Sequence, residues 1–331
     1  MKKKAATPKQ GMYLFFCLVL ALSVAPLSNA QGAEVAKYPD RPITFIVPLP
    51  PGSGTDILNR VLCKEAEKFL GQPIVIVNKP GGSLTVGTAA LAASKPDGYT
   101  IGFPPASALF IVPFIEKVPY HPLKDLQQIM NWGAPNFGIT VKTDSPFKSF
   151  KDVVDYARQN PKKLVYGTTS KIGLHYLIVE QIARKEKIQM IQIPFKGGPE
   201  VETALLGGHI QVGASQFSIA QLEAGKTRLL LLFRESPAPE YPKIPIPKDL
   251  GYGDIVAPMV AGIAGPKGLS QEIVRTLEEA FTKAMDAPVF IKTVKEVGYS
   301  ILYRNTKDST AYTIHNYEFF GKFLKELGLA K

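Results

Sequence analysis

Short apolar runs alternate with glycine-rich breaks and helical periodicities along most of this 331-residue chain. Ile43–Val47 (ITFIV) is a run of β-type residues and predicts a buried strand. Pro48-Leu49-Pro50-Pro51-Gly52-Ser53-Gly54 breaks it. Ile57, Leu58, Val61, Leu62, Ala66, Phe69 and Leu70 then recur at helical spacing until Gly71. Ile74–Val77 predicts a second strand, Lys79-Pro80-Gly81-Gly82 a break, Thr85–Ala93 a helix and Tyr99–Phe103 a third strand. Repeated strand, glycine turn and helix indicate a parallel sheet with crossover helices.

The pattern resumes after a middle stretch. Phe150–Gln159 predicts a helix with Ser149 as N-cap. Leu164–Tyr166, Met190–Pro194 and Ile210–Gly213 predict strands, and Leu174–Arg184, Val201–Leu206 and Ile219–Glu223 helices. Arg228–Phe233 (RLLLLF) has no polar face and predicts a central strand. Pro237–Gly253, rich in proline and glycine, predicts an irregular surface excursion. Val256–Ala264 reads as strand, and Gln271–Ala284, Val289–Val297 and Thr310–Leu327 as helices. The second set of units resembles the first, which predicts two lobes of one architecture.

The ends change the picture. Lys2, Lys3, Lys4 and Lys9 precede the apolar stretch Met12–Ala25, and Ser28-Asn29-Ala30 follows with small residues at the cleavage positions. This is the layout of a secretory signal peptide over residues 1–30, too short in its apolar part to span a bilayer. Without that segment, 301 residues remain and the net charge falls from +11 to +7. The basic surplus is spread out rather than gathered in blocks, which argues against nucleic acid. Cys63 is then the one remaining cysteine, so no internal disulfide is expected. Cys63 sits in a helical pattern and reads as a core residue.

Enzyme signatures are scarce. H-E-x-x-H, C-x-x-C pairs and G-x-S-x-G are missing. His121, His175, His209 and His315 lack ligand spacing, so neither a metal nor a catalytic residue is assigned. The turn after the first strand ends in neither G-K-[ST] nor a clean G-x-G-x-x-G, so no cofactor is assigned. What remains is a set of glycine-rich turns from strand ends into helices: Gly52-Ser53-Gly54-Thr55, Gly81-Gly82-Ser83 and Gly167-Thr168-Thr169-Ser170. Helix N-termini present unpaired N–H groups and partial positive charge, so these turns point to an anion.

Read in order, several segments resemble the periplasmic solute-binding receptors of tripartite tricarboxylate transporters. Tyr38-Pro39-Asp40-Arg41-Pro42-Ile43 is similar to the family's opening, Pro48–Asp56 to its first loop and Asn78-Lys79-Pro80-Gly81-Gly82 to its second. Ser94–Thr100, Phe195–Glu200, Leu206-Gly207-Gly208 and Tyr241–Tyr252 match further segments. The resemblance covers about Tyr38 to Gly328. It implies an α/β, two-lobed type II periplasmic-binding-protein fold, each lobe a mostly parallel sheet flanked by helices. The expected lobes are residues 37–137 with 258–331, and residues 138–257.

The resemblance also implies a monomeric receptor in the periplasm, a small carboxylate ligand held through main chain and water, and membrane permease subunits as partners. Carried over, Pro51, Gly52, Ser53, Gly54, Thr55, Asp56, Gly81, Gly82 and Ser83 line the site from the first lobe. Gly167, Thr168, Thr169, Ser170, Phe195, Lys196, Gly197 and Ser215 line it from the second. The chain departs from the family's Gly-x-Gly-Ser, with Ser170-Lys171-Ile172-Gly173, and has Gln211 and Ser215 where aspartates are frequent. A ligand without an amino group fits these changes. The alternatives are an exported hydrolase-like α/β enzyme and a sensing module for a membrane kinase.

Overall fold

The computed structural model describes residues 38–258 and 260–331. The signal peptide expected at residues 1–30 lies outside the described residues. The first half runs β1 (Ile43–Val47), α1 (Gly54–Leu70), β2 (Ile74–Asn78), a 3-10 turn (Gly82–Leu84), α2 (Thr85–Ala92), β3 (Thr100–Gly102), α3 (Ala106–Phe110), α4 (Val112–Ile115), β4 (Leu126–Pro135) and β5 (Phe137–Lys142). Next come α5 (Phe150–Gln159), β6 (Val165–Thr168), α6 (Leu174–Glu186), β7 (Ile191–Pro194), α7 (Gly198–Leu206), β8 (Val212–Gln216), α8 (Ile219–Glu223) and β9 (Thr227–Leu232). The chain ends with β10 (Ala261–Pro266), α9 (Gln271–Met285), α10 (Pro288–Val297), β11 (Tyr299–Arg304) and α11 (Thr306–Glu326).

Local chemistry sets the helix ends. Ser53 caps α1 by accepting from the Asp56 N–H, and Gly71 closes it in the left-handed region at φ 70°, its N–H bonded to the Glu67 carbonyl. Ser149 and Asp152 form a reciprocal capping box at the start of α5.

Two sheets result, ordered β11-β4-β10-β3-β1-β2 and β7-β6-β8-β5-β9. Apart from β11 the orders are the same, with β1, β2, β3, β10 and β4 matching β6, β7, β8, β5 and β9. In each sheet four strands point one way and one runs against them between its neighbours, and in the first sheet the added edge strand β11 is reversed as well. That reversed strand, β5 or β10, is the first one after the chain passes from the other sheet. The direction is therefore mostly parallel, while the ladders are mixed. Separate cores lie under the first sheet, around Phe45, Trp132, Phe281 and Phe290, and under the second, around Phe150, Tyr166, Leu231 and Phe233. A third cluster joins Leu91, Phe110, Phe320 and Leu324 on the first sheet's side with Leu177 of α6.

Sequence patterning and structure part in three places. The wholly apolar β9 is an edge strand, not a central one. It is buried because the Pro237–Gly253 excursion folds over it: Ala238 and Ile246 pack on Leu229 and Leu232, and the Leu232 N–H donates to the Pro245 carbonyl at 2.9 Å. A loop thus covers an edge that would otherwise be open to pairing. The middle stretch, unassigned by periodicity, holds α3, α4, β4 and β5. The strand expected at Val256–Ala264 starts five residues later, at Ala261, and β11 follows α10 after a single glycine, Gly298 at φ 77°.

Candidate functional site

The turn after β1 is organised by one carboxylate. Asp56, fully buried in the first turn of α1, accepts from the Gly52 N–H at 2.9 Å, from Arg60 Nε at 2.9 Å and from Asn78 Nδ2 at 2.7 Å. Asn78, the last residue of β2, also donates to the Leu49 carbonyl and accepts from Arg60, so it stitches the second loop to the first. Burial by itself would raise the Asp56 carboxyl, but the bonds from Arg60, Asn78 and Gly52 outweigh it and hold the carboxyl below its ordinary value. The ion pair with Arg60 is internally neutral, and both oxygens are engaged. Asp56 therefore fixes the loop rather than offering a ligand contact. Gly52 must be glycine for its φ of +79°.

Thr55 shares a hydrogen bond with the Tyr299 hydroxyl at 2.6 Å. Tyr299 stacks on Trp132 with centroids 5.9 Å apart. Trp132 is wholly buried in the first core, edge-on to Phe290 as well. It lies one ring away from the site rather than in it.

In the second sheet the matching turn after β6 is held by neutral groups. Gln192 of β7 donates to Thr168 Oγ1 at 2.7 Å and to the carbonyls of Ser170 and Lys171. Thr168 in turn donates to the Ser170 carbonyl. Thr169 pairs with His175 Nδ1 at 2.9 Å. His175 is buried against the Phe137 ring, and burial pulls its imidazole down to about 4. Its Nε2 has no partner among the described residues. The pair has the composition of a nucleophile and base, but an imidazole at that value is a weak base at neutral pH, and no third group orients it. Among the described residues no group of three or more His, Cys, Asp or Glu is placed to hold a metal.

The turns of the two sheets meet at Val297 and Gln216. A Cβ on Gly54 would come within 2.6 Å of Val297 Cγ1. Gln216, at the end of β8, donates to the Val297 carbonyl at 3.1 Å. Gly198, the first residue of α7, sits so close that a Cβ there would lie 2.9 Å from the Gln216 carbonyl. Phe195 joins the group by donating its N–H to the Thr168 carbonyl at 2.8 Å. Among the described residues the N–H groups of Gly54, Thr55, Gly197 and Gly198 find no acceptor. The N-termini of α1 and α7, packed on either side of Val297 and Gln216, thus carry four free donors and two positive dipole ends, which suit an anion.

Most of the expected residues belong to this group. The Gly52–Asp56 turn, Gly167–Ser170, Phe195–Gly197 and the buried Ser215, beside Gln216, are connected as described, with Pro51 at the exposed lip. The Gly81-Gly82-Ser83 turn joins at one remove, through Asn78. It is exposed, and Gly81, Gly82, Ser83 and Leu84 all have positive φ, a conformation strained for the last two. Lys196 and Lys171 are exposed, and the Lys196 N–H is capped by Glu200. Gln211 is taken up by the fold, accepting from the Val165 N–H at 2.8 Å. Packing against Val297 leaves no room for a Cβ at position 54, a contact of which sequence reasoning had no sign. The residues it missed are Gln192, Gln216, Val297 and Tyr299. Only Gln192 carried a signal, as a lone polar position in an apolar strand.

Residues 58–329 match the family described as the tripartite tricarboxylate transporter family receptor. A Cupriavidus necator protein, the "UPF0065 protein in gbd 5'region", is 35% identical over 300 residues, covering 90% of this chain and 91% of its own length. A crystal structure of a TctC solute binding protein from Polaromonas without ligand is 26% identical, with a TM-score of 0.77 over 87% of this chain and 99% of that one. MatC from Rhodopseudomonas palustris with bound malate superposes with a TM-score of 0.70 over 87% of this chain and 100% of that one. At 22% identity it speaks for the fold alone.

Proposed function

The chain belongs to the tripartite tricarboxylate transporter receptor family, and from that premise we propose that it works as a periplasmic monomer that captures a small carboxylate between its two sheets and delivers it, unchanged, to membrane permease subunits. Solute binding follows from the family. The carboxylate, the cleaved signal peptide, the monomeric state and the lack of turnover belong to the proposal. The observation that carries it is the meeting of two helix N-termini from different sheets, with free N–H groups at Gly54, Thr55, Gly197 and Gly198. Neutral surroundings favour main-chain capture over an ion pair: Asp56 is cancelled by Arg60, and the second turn is held by amide and hydroxyl groups. That a related fold holds malate, and another from Rhodopseudomonas palustris holds adipate, supports a dicarboxylate without an amino group.

The test is a thermal-shift screen of mono-, di- and tricarboxylates followed by calorimetry, since a ligand that binds the folded state alone raises the melting temperature. A dicarboxylate hit is expected. Gly54→Val should weaken its binding by more than about tenfold, roughly 1.4 kcal/mol, because the new side chain displaces Val297 and with it the Gln216 bond. A panel with no hit would overturn the carboxylate reading, and consumption of the hit would revive the exported enzyme.

A further inference from the structure

Away from the cleft, two arginines meet without enough partners. Arg234 lies two residues past the end of β9; it is 5% exposed, and its NH1 has no hydrogen-bond partner among the described residues. It makes no salt bridge among them either, and the carboxylate that acts on its charge across space is Glu240, on the exposed excursion. Arg304, from the end of β11, lies over the Tyr312 ring of α11 at 3.9 Å and pairs with Glu235 at 3.4 Å, yet its own NH1 is also buried without a partner. Both side chains line one small cavity, together with Glu235, Ser236, Ala257, Leu302 and Tyr312. The cavity is small, about 210 Å³ of empty space including its open mouth.

Burying an unpaired guanidinium is unfavourable unless something compensates it. Among the residues that line the cavity, two guanidinium groups stand with one carboxylate, Glu235, while Glu240 lies outside the lining, which leaves a single positive charge at the cavity itself. A water would accept two bonds and leave that charge in place, whereas a small anion matches both the donors and the charge. We propose that this cavity binds one small monovalent inorganic anion of the halide class, between Arg234 and Arg304. Its lining comes from both ends of the second connection between the sheets (Arg234–Ser236 and Ala257) and from β11 and α11. The bound ion therefore fastens that connection to the first sheet.

The test compares the purified protein in sodium methanesulfonate with sodium chloride or bromide at equal ionic strength. The halides should raise the melting temperature by about 2 °C in a saturable way. Arg234→Met should abolish the halide-specific rise. Crystals soaked in bromide should give an anomalous peak between the two guanidinium groups, a readout on the unaltered protein that stands even where the variant does not fold. No halide-specific rise, a rise that persists in Arg234→Met, or bromide bound elsewhere but not between Arg234 and Arg304 would each overturn the proposal.

Discussion

In the first sheet, the turns after β1 and β2 are tied together by a buried carboxylate; in the second, the matching turns after β6 and β7 are tied by an amide. Asp56 and Asn78 do in one place what Thr168 and Gln192 do in the other. Each time, a polar residue of the second strand reaches back to the turn after the first. The charged stitch is internally neutral because Arg60 answers Asp56, and the neutral stitch has nothing to answer. Neither turn has to present net charge to the cleft. The difference shows that one topology can position a glycine turn by either chemistry, provided every buried donor and acceptor is matched. It also means that the two sides of the site respond to acid in different windows.

The largest effect concerns that response. His175 stands beside the second turn with a folded value of about 4, against 6.5 for a free imidazole. A buried base whose folded value is depressed contributes fully above the unfolded value, and its contribution is lost as pH falls from there through the folded value. Acidification from pH 7 to below 4 should therefore remove on the order of 3 kcal/mol through this group. Urea unfolding of His175→Gln, whose amide still reaches Thr169, should show a flatter profile between pH 6.5 and 4. A profile as steep as the wild type's would mean that His175 is not held neutral.

Asp56 acts in a lower window. Its folded carboxyl lies below the ordinary 3.8, so its contribution is present above that value and is lost only as pH falls below it. Asp56→Ala should cost about 2–3 kcal/mol at neutral pH, because the Gly52 N–H and the Asn78 amide lose their acceptor. Arg60, nearly half exposed, can turn to water, which keeps the loss below that of a fully buried pair. Ligand binding should fail in the same variant, since the first turn loses its anchor. Denaturation and calorimetry on one sample test both expectations.

How much of this was legible depends on what kind of contact was involved. The units Ile43–Leu70, Phe150–Gln159 and Leu174–Glu186 show in the pattern because their apolar spacing and caps are local. The turn with the free N–H groups of Gly54 and Thr55 could be found, since glycine and small hydroxyl residues mark it, whereas the Gly197-Gly198 turn has no such mark and was reached through the family resemblance alone. Gln216, Val297 and Tyr299 could not. Their roles arise where distant segments meet, 81 residues apart in the Gln216–Val297 bond and 244 in the Thr55–Tyr299 bond. The edge strand β9 misled for a related reason: apolar faces on both sides signal burial, but not whether a strand or a loop does the burying.

Gln192→Leu should be milder than Asp56→Ala. It removes neutral hydrogen bonds from a half-buried amide, two of whose three acceptors are carbonyls of the partly exposed Ser170-Lys171 stretch, so about 1–2 kcal/mol of stability is expected to go. The acid profile should keep its wild-type shape, because His175 and Asp56 are both intact. A change in slope below pH 4 would show that the two turns are coupled rather than separately stitched.

The smallest effect tests whether side-chain charge matters at all. Lys171 is exposed on the second turn, and Lys196 stands beside the N-terminus of α7 with its N–H already capped by Glu200. If backbone N–H groups hold the ligand, Lys171→Ala should weaken binding by no more than about tenfold, or roughly 1.4 kcal/mol. The loss should shrink further with added salt, as expected for an exposed charge acting at a distance. Lys196→Ala carries more risk, because its turn leads directly into Gly197 and Gly198, whose N–H groups are free. Calorimetry on the folded variants separates the cases. Lys171→Ala abolishing binding while Gly54→Val leaves it intact would mean that an ion pair holds the anion, and the even-handed neutrality of the two turns would then have no bearing on recognition.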